Sequence, residues 1–190
     1  SVAPLTAILG SLALVSMILA LRGVNPIDIF QVMISYGFSP RNLVSELNQT
    51  VAYYLAGVAA AIGFKMLLFN IGIDGQYRMG AFFGAVVGAA VSLPPVLHVL
   101  LIVITAMLAG GLWAAIAGYL KVRRGVSEVI SNIMLNFIAA AIIAFLLSED
   151  LLGTLPEGSQ NVQTKQIPLS GQMPTIKMFS GEVYSFLFVA

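Results

Sequence analysis

A short polar segment broken by glycine stands between two apolar runs and contains Asn70, Gly72, Asp74, Gly75 and Gln76. Within a bilayer, irregular backbone is tolerated where it is buried in protein or lines a cavity, and broken transporter helices offer free backbone groups to ligands. The same residues also suit an ordinary cytoplasmic turn, in which the glycines supply positive φ angles. Periodicity favours neither interpretation, so we take these five residues as candidates for a substrate pathway and keep the turn as the alternative.

A second polar pattern lies further along the chain, where Glu128, Asn132 and Asn136 are spaced four residues apart. This spacing predicts one polar stripe on an otherwise apolar helix, with Ser127 suited to the N-cap and Glu128 to the first turn. Amides on a spanning helix either hydrogen-bond to neighbouring helices or line a wet pathway. These residues alone favour hydrogen bonding, and the two asparagines are also candidate pathway residues.

Two charged residues, Lys65 and Asp74, flank the first polar segment. A charge inside a membrane is costly, so it is usually paired, functional or extended toward the interface on an apolar stem. We predict that Lys65 either pairs with Asp74 or reaches the cytoplasmic interface. A proton or sodium relay through both residues is the alternative, typical of a secondary transporter.

The composition sets the class of protein. The chain has 190 residues, of which 59% are hydrophobic and 9% charged, with a net charge of +1, no cysteine and a mean hydropathy of +0.97. Charged residues make up roughly a quarter of a typical soluble domain, so the composition indicates a membrane protein. The nearly neutral net charge gives no basic surface that would attract nucleic acid. His98 is the single histidine and is interpreted as an interfacial residue. Neither a His-Glu-x-x-His motif nor a phosphate loop occurs, so we expect no catalytic site, metal site or cofactor in this chain.

Apolar runs predict the spanning helices, because a span needs about 20 apolar residues. Five complete spans are expected, and a sixth begins near Val183; the predicted ranges are 5–21, 51–69, 79–93, 96–120, 129–147 and 183–190. Polar residues predict water-facing loops over 22–50 and 148–177. The sequence therefore predicts an all-α polytopic transmembrane bundle, one domain over 1–190, interrupted near residues 70–76. Both chain ends look cut, so we expect a longer protein.

The orientation follows from the basic cluster Lys121, Arg123 and Arg124 in a short connector. Lysine and arginine in short loops favour the cytoplasmic side, which places residues 70–78 inside and both long loops outside. Arg123 and Arg124 are, with Lys65 and Glu128, candidates for structural or coupling roles.

Small residues recur every fourth position at Gly80, Gly84 and Gly88, and again at Gly110, Ala114 and Gly118. Such rows let helix backbones approach closely in lipid. Close helix packing is expected for both rows.

Two strings resemble a known family. Residues 69–76, Phe-Asn-Ile-Gly-Ile-Asp-Gly-Gln, resemble the element Phe-Asn-Ile-Gly-x-Glu-Gly-Gln, and residues 128–136, Glu-Val-Ile-Ser-Asn-Ile-Met-Leu-Asn, resemble Glu-Val-Ile-Ser-x-Ile-Met-Leu-Asn. Both elements belong to ABC-type permeases of the simple sugar and nucleoside uptake group. The family pattern has glutamate at the position of Asp74, whose side chain is one methylene shorter.

The resemblance implies the N-terminal portion of a permease subunit related to branched-chain amino acid and ribose permeases, in a bacterial plasma membrane. It implies a translocation pathway for nucleosides or related sugars, a second permease subunit, a cytoplasmic ATP-binding subunit that holds ATP and Mg, and an extracytoplasmic binding protein or lipoprotein. The alternatives are an ion-coupled secondary transporter that uses Lys65 and Asp74, and a membrane assembly subunit without a pathway.

Overall fold

The computed structural model describes residues 3–148, 151–153, 162–178 and 181–184. Its elements are α1 (Ala3–Leu21), α2 (Pro26–Gly37), α3 (Pro40–Lys65), α4 (Ile73–Ala90), α5 (Pro95–Arg124), α6 (Glu128–Ser148), a 3₁₀ turn (Leu169–Gly171), and strands β1 (Thr175–Met178) and β2 (Gly181–Tyr184). Within the described part, three helices are long and apolar enough to cross a bilayer: Ala3–Leu21, Pro95–Arg124 and Glu128–Leu147. A predominantly helical membrane protein is thus confirmed, with one small two-stranded sheet that was not expected.

The backbone divides into two compact units. One unit comprises Ser1–Gln49 and Ile176–Val183, and the other comprises Thr50–Thr175 and Tyr184–Ala190. The single domain expected over residues 1–190 stays a prediction. All candidate site residues lie in the second unit.

The loop predicted over residues 22–50 is mostly helical, because α2 and the first part of α3 occupy most of it. Each helix begins at a proline, Pro26 or Pro40. Proline fits the first helical turn, since its φ is already helical and its missing N–H would have no intrahelical partner. The Asn25 side chain also caps α2 by accepting a hydrogen bond from the Ile27 N–H at 3.1 Å. Both prolines are therefore helix starts and not loop signals.

The helix bounds differ from the predicted spans on both sides of the break and near Val183. The span expected over 51–69 ends early, since α3 stops at Lys65, and the span expected over 79–93 begins early, since α4 starts at Ile73. Helix α4 has 18 residues, which is about 27 Å and close to the thickness of a bilayer core. The span predicted from Val183 is wrong for its first residues, because Val183 and Tyr184 belong to β2. Residues 185–190 lie outside the described part.

The glycine row of α4 packs directly on α5. Gly80, Gly84 and Gly88 are all buried. A Cβ atom built at Gly80 would lie 2.9 Å from the Ala106 carbonyl oxygen, and one at Gly88 would lie 2.7 Å from Ile102 Cδ1. Packing through this row is confirmed, and it positions the start of α4 against the middle of α5.

A tight connector joins α5 to α6. Gly125 ends α5 in the left-handed conformation with φ 66°. Its N–H donates to the Lys121 carbonyl at 3.0 Å, and the Val126 N–H donates to the Leu120 carbonyl at 3.3 Å. These two bonds form the usual glycine-dependent helix termination. The chain reverses within three residues, so Lys121 meets the first turn of α6.

His98 is fully buried inside the protein near the start of α5, and its position at the membrane interface stays a prediction. Its Nδ1 lies 2.8 Å from Ser170 Oγ and its Nε2 lies 2.9 Å from the Gly88 carbonyl oxygen. A carbonyl can only accept, so Nε2 carries a proton and donates to Gly88. The ring thereby fastens the 3₁₀ turn to the ends of α4 and α5.

Candidate functional site

The chain leaves helix geometry after Lys65 and resumes it at Ile73. Leu67 takes a left-handed φ of 57°, and it is the one non-glycine residue in the described ranges that does so. The Leu68 N–H donates to the Gly63 carbonyl at 2.9 Å and closes the end of α3. We call residues 66–72 the break.

The two glycines near the break serve close contact and not positive φ. Gly72 has a φ of −81°, and Gly75 lies inside α4, so the positive φ angles that the alternative of an ordinary turn required are not present at either residue. A Cβ atom at Gly72 would lie 2.4 Å from Asn132 Oδ1, and one at Gly75 would lie 2.7 Å from Asn136 Oδ1. Glycine is required here because side chains of α6 reach the backbone of the break.

Asn70 and Gln76 form a reciprocal amide pair across the break. Asn70 Nδ2 donates to Gln76 Oε1 at 3.2 Å, and Gln76 Nε2 donates to Asn70 Oδ1 at 2.9 Å. Asn70 Oδ1 also accepts from the Gly72 N–H at 3.3 Å. This pair ties the last irregular residues to the first turn of α4.

The asparagine stripe of α6 binds main-chain groups of the same region. Asn132 Nδ2 donates to the Phe69 carbonyl at 3.4 Å, and Asn136 Nδ2 donates to the Ile71 carbonyl at 3.1 Å. Asn136 Oδ1 in turn accepts from the Gly75 N–H at 2.9 Å. The favoured interpretation, interhelical hydrogen bonding, matches this geometry. Together these residues satisfy backbone groups that a break leaves without helical partners.

The first turn of α4 lies at mid-height of the neighbouring helix α5, whereas Phe69 and Asn70 of the break line the same cavity as Lys121 and Glu128 at the predicted cytoplasmic ends of α5 and α6. A Cβ atom at Gly110 of α5 would lie 3.0 Å from the Gln76 carbonyl oxygen. Gly110 precedes the last residue of α5, Arg124, by 14 residues, which is about 21 Å along a helix axis. The start of α4 is therefore set deep along α5, which favours the pathway interpretation over a surface turn.

A cavity of about 240 Å³ lies between α3, the break, α5 and α6. It is called the inner cavity below. Its polar walls are amides at one end and an ion pair at the other, namely Asn70, Gln76 and Asn132 against Lys121 and Glu128. Alanines, glycines, two aliphatic residues and Phe69 line the remainder. The arrangement offers neutral hydrogen-bonding groups inside an otherwise apolar space.

The predicted pair between Lys65 and Asp74 is wrong. Asp74 instead binds Arg78, whose Nε lies 2.9 Å from both carboxylate oxygens. The two residues are four apart in one helix, which is the spacing that brings side chains together. Lys65 is exposed at the end of α3 and makes no ion pair within the described residues.

The charged residues around the connector between α5 and α6 differ in their surroundings. Lys121 forms an ion pair with Glu128 and so links the last turn of α5 to the first turn of α6. Arg123 and Arg124 are exposed in the same last turn. Of the predicted coupling residues, Glu128 therefore lies at the inner cavity, and the two arginines project outside it.

Sequence reasoning missed the role of Arg78 and the carbonyl acceptors of Phe69 and Ile71. The signal for Arg78 was present, since a carboxylate and a guanidinium four residues apart on a helix pair readily. The carbonyl acceptors had no signal, because their use depends on the height of α6 relative to the break.

Residues 42–190 match the family model for the permease component of branched-chain amino acid transport systems. A glucose ABC transporter permease of Haloferax volcanii is 32% identical over 98% of this chain and 51% of its own length. A guanosine ABC transporter permease of Bacillus subtilis is 38% identical over 78% of this chain and 43% of its own length. A nucleoside ABC transporter permease of Lactococcus lactis is 29% identical over 93% of this chain and 49% of its own length. No solved structure matches.

The chain spans about half the length of the curated relatives that it matches. The family model nevertheless covers most of the chain, including the break, the inner cavity and the asparagine stripe. The chain therefore belongs to the family of permease components of branched-chain amino acid transport systems.

Proposed function

We propose that this chain is part of the permease subunit of an ATP-binding cassette importer and forms the translocation pathway for nucleosides or related simple sugars. The observation that carries the proposal is the inner cavity, in which Asn70, Gln76 and Asn132 present amide groups, with Gln76 in a first turn of α4 that is set deep along α5. The names of the relatives, which transport glucose, guanosine and nucleosides, support the same substrate class.

The chemistry of the cavity suits a neutral solute with several hydroxyl groups. Amides donate and accept equally, so they can exchange their bonds with each other for bonds to hydroxyl groups. The charges of Lys121 and Glu128 cancel locally, so the cavity has no net charge that would favour an ion. The Asn70–Gln76 pair closes the cavity against the first turn of α4 and must separate for a solute to pass.

The proposed assembly follows from the family. A cytoplasmic ATP-binding subunit would supply ATP and Mg, so this chain would perform no hydrolysis itself. A second permease subunit would complete the pathway, and an extracytoplasmic binding protein or lipoprotein would deliver the substrate. The proposed location is a bacterial plasma membrane, crossed several times.

An ion-coupled secondary transporter is less well supported, because Lys65 and Asp74 are not paired and neither lines the inner cavity. The two mechanisms differ in their energy source. Uptake into vesicles that contain the complete transporter should stop when vanadate is added and should persist when proton and sodium gradients are dissipated.

The test of the pathway is the Asn70→Leu variant of the full-length protein in its complex. Leucine cannot bond to Gln76 or to a hydroxylated solute, so uptake of guanosine and glucose should fall by about tenfold, the effect of losing roughly 1.4 kcal/mol of interaction. The matched control is Asn42→Leu, which also removes an amide bond, to the Tyr36 carbonyl at 2.6 Å, but lines no described cavity.

Protein amount and association with the ATP-binding subunit are measured for both variants. Normal uptake by Asn70→Leu would contradict the pathway role of the inner cavity. Gradient-dependent, vanadate-resistant uptake by the unmodified protein would contradict the importer itself.

A further inference from the structure

A second, larger groove lies on the other face of α4. It encloses about 610 Å³ between α4, α6 and residues 162–164. Tyr77 and Arg78 line one end, Ala81 and Ala144 line the walls, and Gln163 lines the other end. We call it the outer groove, because residues 162–164 follow α6 on the predicted external side.

The outer groove is separate from the inner cavity, and the two share no lining residue. Gln76 faces the inner cavity, while its neighbours Tyr77 and Arg78 face the outer groove. The first turn of α4, held by the bond from the Gly75 N–H to Asn136 Oδ1, forms the wall between them. The two spaces therefore lie on opposite sides of the first turns of α4.

The outer groove carries charge at a depth where lipid would not tolerate it. Arg78 and Asp74 lie in the first turns of α4, beside the middle of α5, and their side chains are 54% and 56% exposed. Ionised groups at such depth face a protein interior or a water-filled cavity, and they mark solute pathways. Lipid is therefore a poor occupant of this face.

The chemistry of the groove selects among polar occupants. The Arg78 guanidinium uses only Nε for Asp74, so within the described ranges its two terminal nitrogens have free donors. Asp74 cancels the charge of Arg78, which disfavours an anion such as a phosphate. Tyr77 is 59% exposed, and its ring offers an apolar face with a polar tip. Alanine walls leave room beside these groups.

We propose that the outer groove is a second binding site for the neutral, hydroxylated solute, in which Tyr77 packs on its apolar face and Arg78 donates hydrogen bonds to its oxygens. This inference rests on the proposed function, since it assumes that the solute crosses at the break. It assigns substrate specificity to residues outside the inner cavity. The first turn of α4 would then be the barrier between the inner cavity and the outer groove.

The test uses the absence of cysteine from this chain. Ala81→Cys and, as a second variant, Ala144→Cys are made in the full-length transporter, without other cysteines, in membrane vesicles. A charged methanethiosulfonate reagent reacts only with hydrated thiols. The proposal requires a hydrated groove, so both cysteines should react about tenfold faster than Met107→Cys, the control on an exposed α5 position that lines no described cavity.

Guanosine, ribose or glucose at saturating concentration should slow this labelling at least about threefold, because a bound solute excludes the reagent. Labelling as slow as that of Met107→Cys would overturn the proposal by showing the face covered by lipid or protein. Labelling without protection by any of these solutes, or with protection only by a short-chain anionic lipid, would overturn it too.

A kinetic comparison separates solute contact from structure. Tyr77→Leu should raise the KM for uptake by about tenfold with folded protein retained, since it removes an aromatic surface worth on the order of 1–1.5 kcal/mol. Tyr119→Leu, an exposed tyrosine of α5 that lines no described cavity, is the control. Uptake by the unmodified protein is measured in the same vesicles. No transport there contradicts the proposed function, whereas transport with an unchanged KM in Tyr77→Leu contradicts only the outer groove.

Discussion

Helix α4 contacts its two neighbours by different chemistry. Against α5 it presents buried glycines, and backbone meets backbone with no space for a Cβ atom. Against α6 it presents the start of the helix and the break, where Asn132 and Asn136 bind main-chain groups. The contact with α5 is backbone packing, whereas the contact with α6 includes asparagine hydrogen bonds at the start of α4 and at the break.

The difference indicates which contact can change during transport. Close packing resists partial separation, because a gap of about 0.5–1 Å already loses roughly a quarter to a half of the dispersion energy. Hydrogen bonds can be exchanged for bonds to water or to a solute at little net cost. We therefore expect α4 and α5 to move together, and the α4–α6 contact to open.

Gly80→Val should have the largest effect on stability. Its Cβ would lie 2.9 Å from the Ala106 carbonyl oxygen, and main chain cannot yield as a flexible side chain does. We expect a loss of about 3 kcal/mol of unfolding free energy in mixed micelles, the upper range for overpacking. Gly57→Val in α3 is the control, because a Cβ there would meet nothing within 4 Å. Equal losses in the two variants would show that helix propensity, not contact with α5, sets the cost.

Asn136→Leu should have a smaller effect on stability and a large effect on uptake. It leaves the Ile71 carbonyl and the Gly75 N–H without their partner, at a cost of about 1–2 kcal/mol. The control is Ser131→Ala in the same helix, whose hydroxyl bonds, among the described residues, only to the carbonyl of Ser127, the residue before α6. If Asn136→Leu were as damaging to folding as Gly80→Val, the α4–α6 contact would be structural and the proposed difference would fail.

The elements of this comparison were partly predictable from the sequence. The glycine row and the asparagine stripe follow from spacings of four residues, which hold for any straight helix. The existence of the break followed from polar residues between apolar runs. The binding partners of the asparagine stripe could not be predicted from the sequence, because a contact such as that between Asn136 and Gly75 depends on the relative height of two helices.

The errors have local physical causes. The loop prediction for residues 22–50 missed the helices because Pro26 and Pro40 can begin a helix as well as interrupt one. The pair of Lys65 with Asp74 was misread because Arg78 lies on the same face of the same helix as Asp74 and competes for it. Leu67, not a glycine, takes the positive φ at the end of α3, an arrangement with no residue-type signal.

The charges near the break should contribute less than its amides. Asp74 and Arg78 are more than half exposed, so their coupling energy in a double-mutant cycle should be about 0.5 kcal/mol, as for surface pairs in helices. Lys65→Met and Asp74→Leu should be additive, because the two residues are not in contact. Recovery of stability in the Lys65→Met, Asp74→Leu double variant would restore the pair that the structure excludes and would give charge a role in the α4–α6 contact.

The smallest effect on stability is expected for Arg123→Gln with Arg124→Gln. Both side chains are exposed and make no ion pair in the described part of the chain, so unfolding free energy should change by less than about 0.5 kcal/mol. Arg22→Gln, which removes another exposed charge beside a helix end, is the control. This variant tests ATPase activity and uptake and not stability.

The connector that carries these arginines leads directly into α6, and the pair of Lys121 with Glu128 ties α6 to the end of α5. A push on the connector would displace α6 as a rigid helix, and the bonds from Asn132 and Asn136 to the break would be the first to change. We therefore expect the glutamine variant to lower substrate-stimulated ATPase activity and uptake together, while cysteine labelling shows an unchanged orientation. If orientation, ATPase activity and uptake are all unchanged, the arginines orient the helices at most, and the force that opens the α4–α6 contact enters elsewhere.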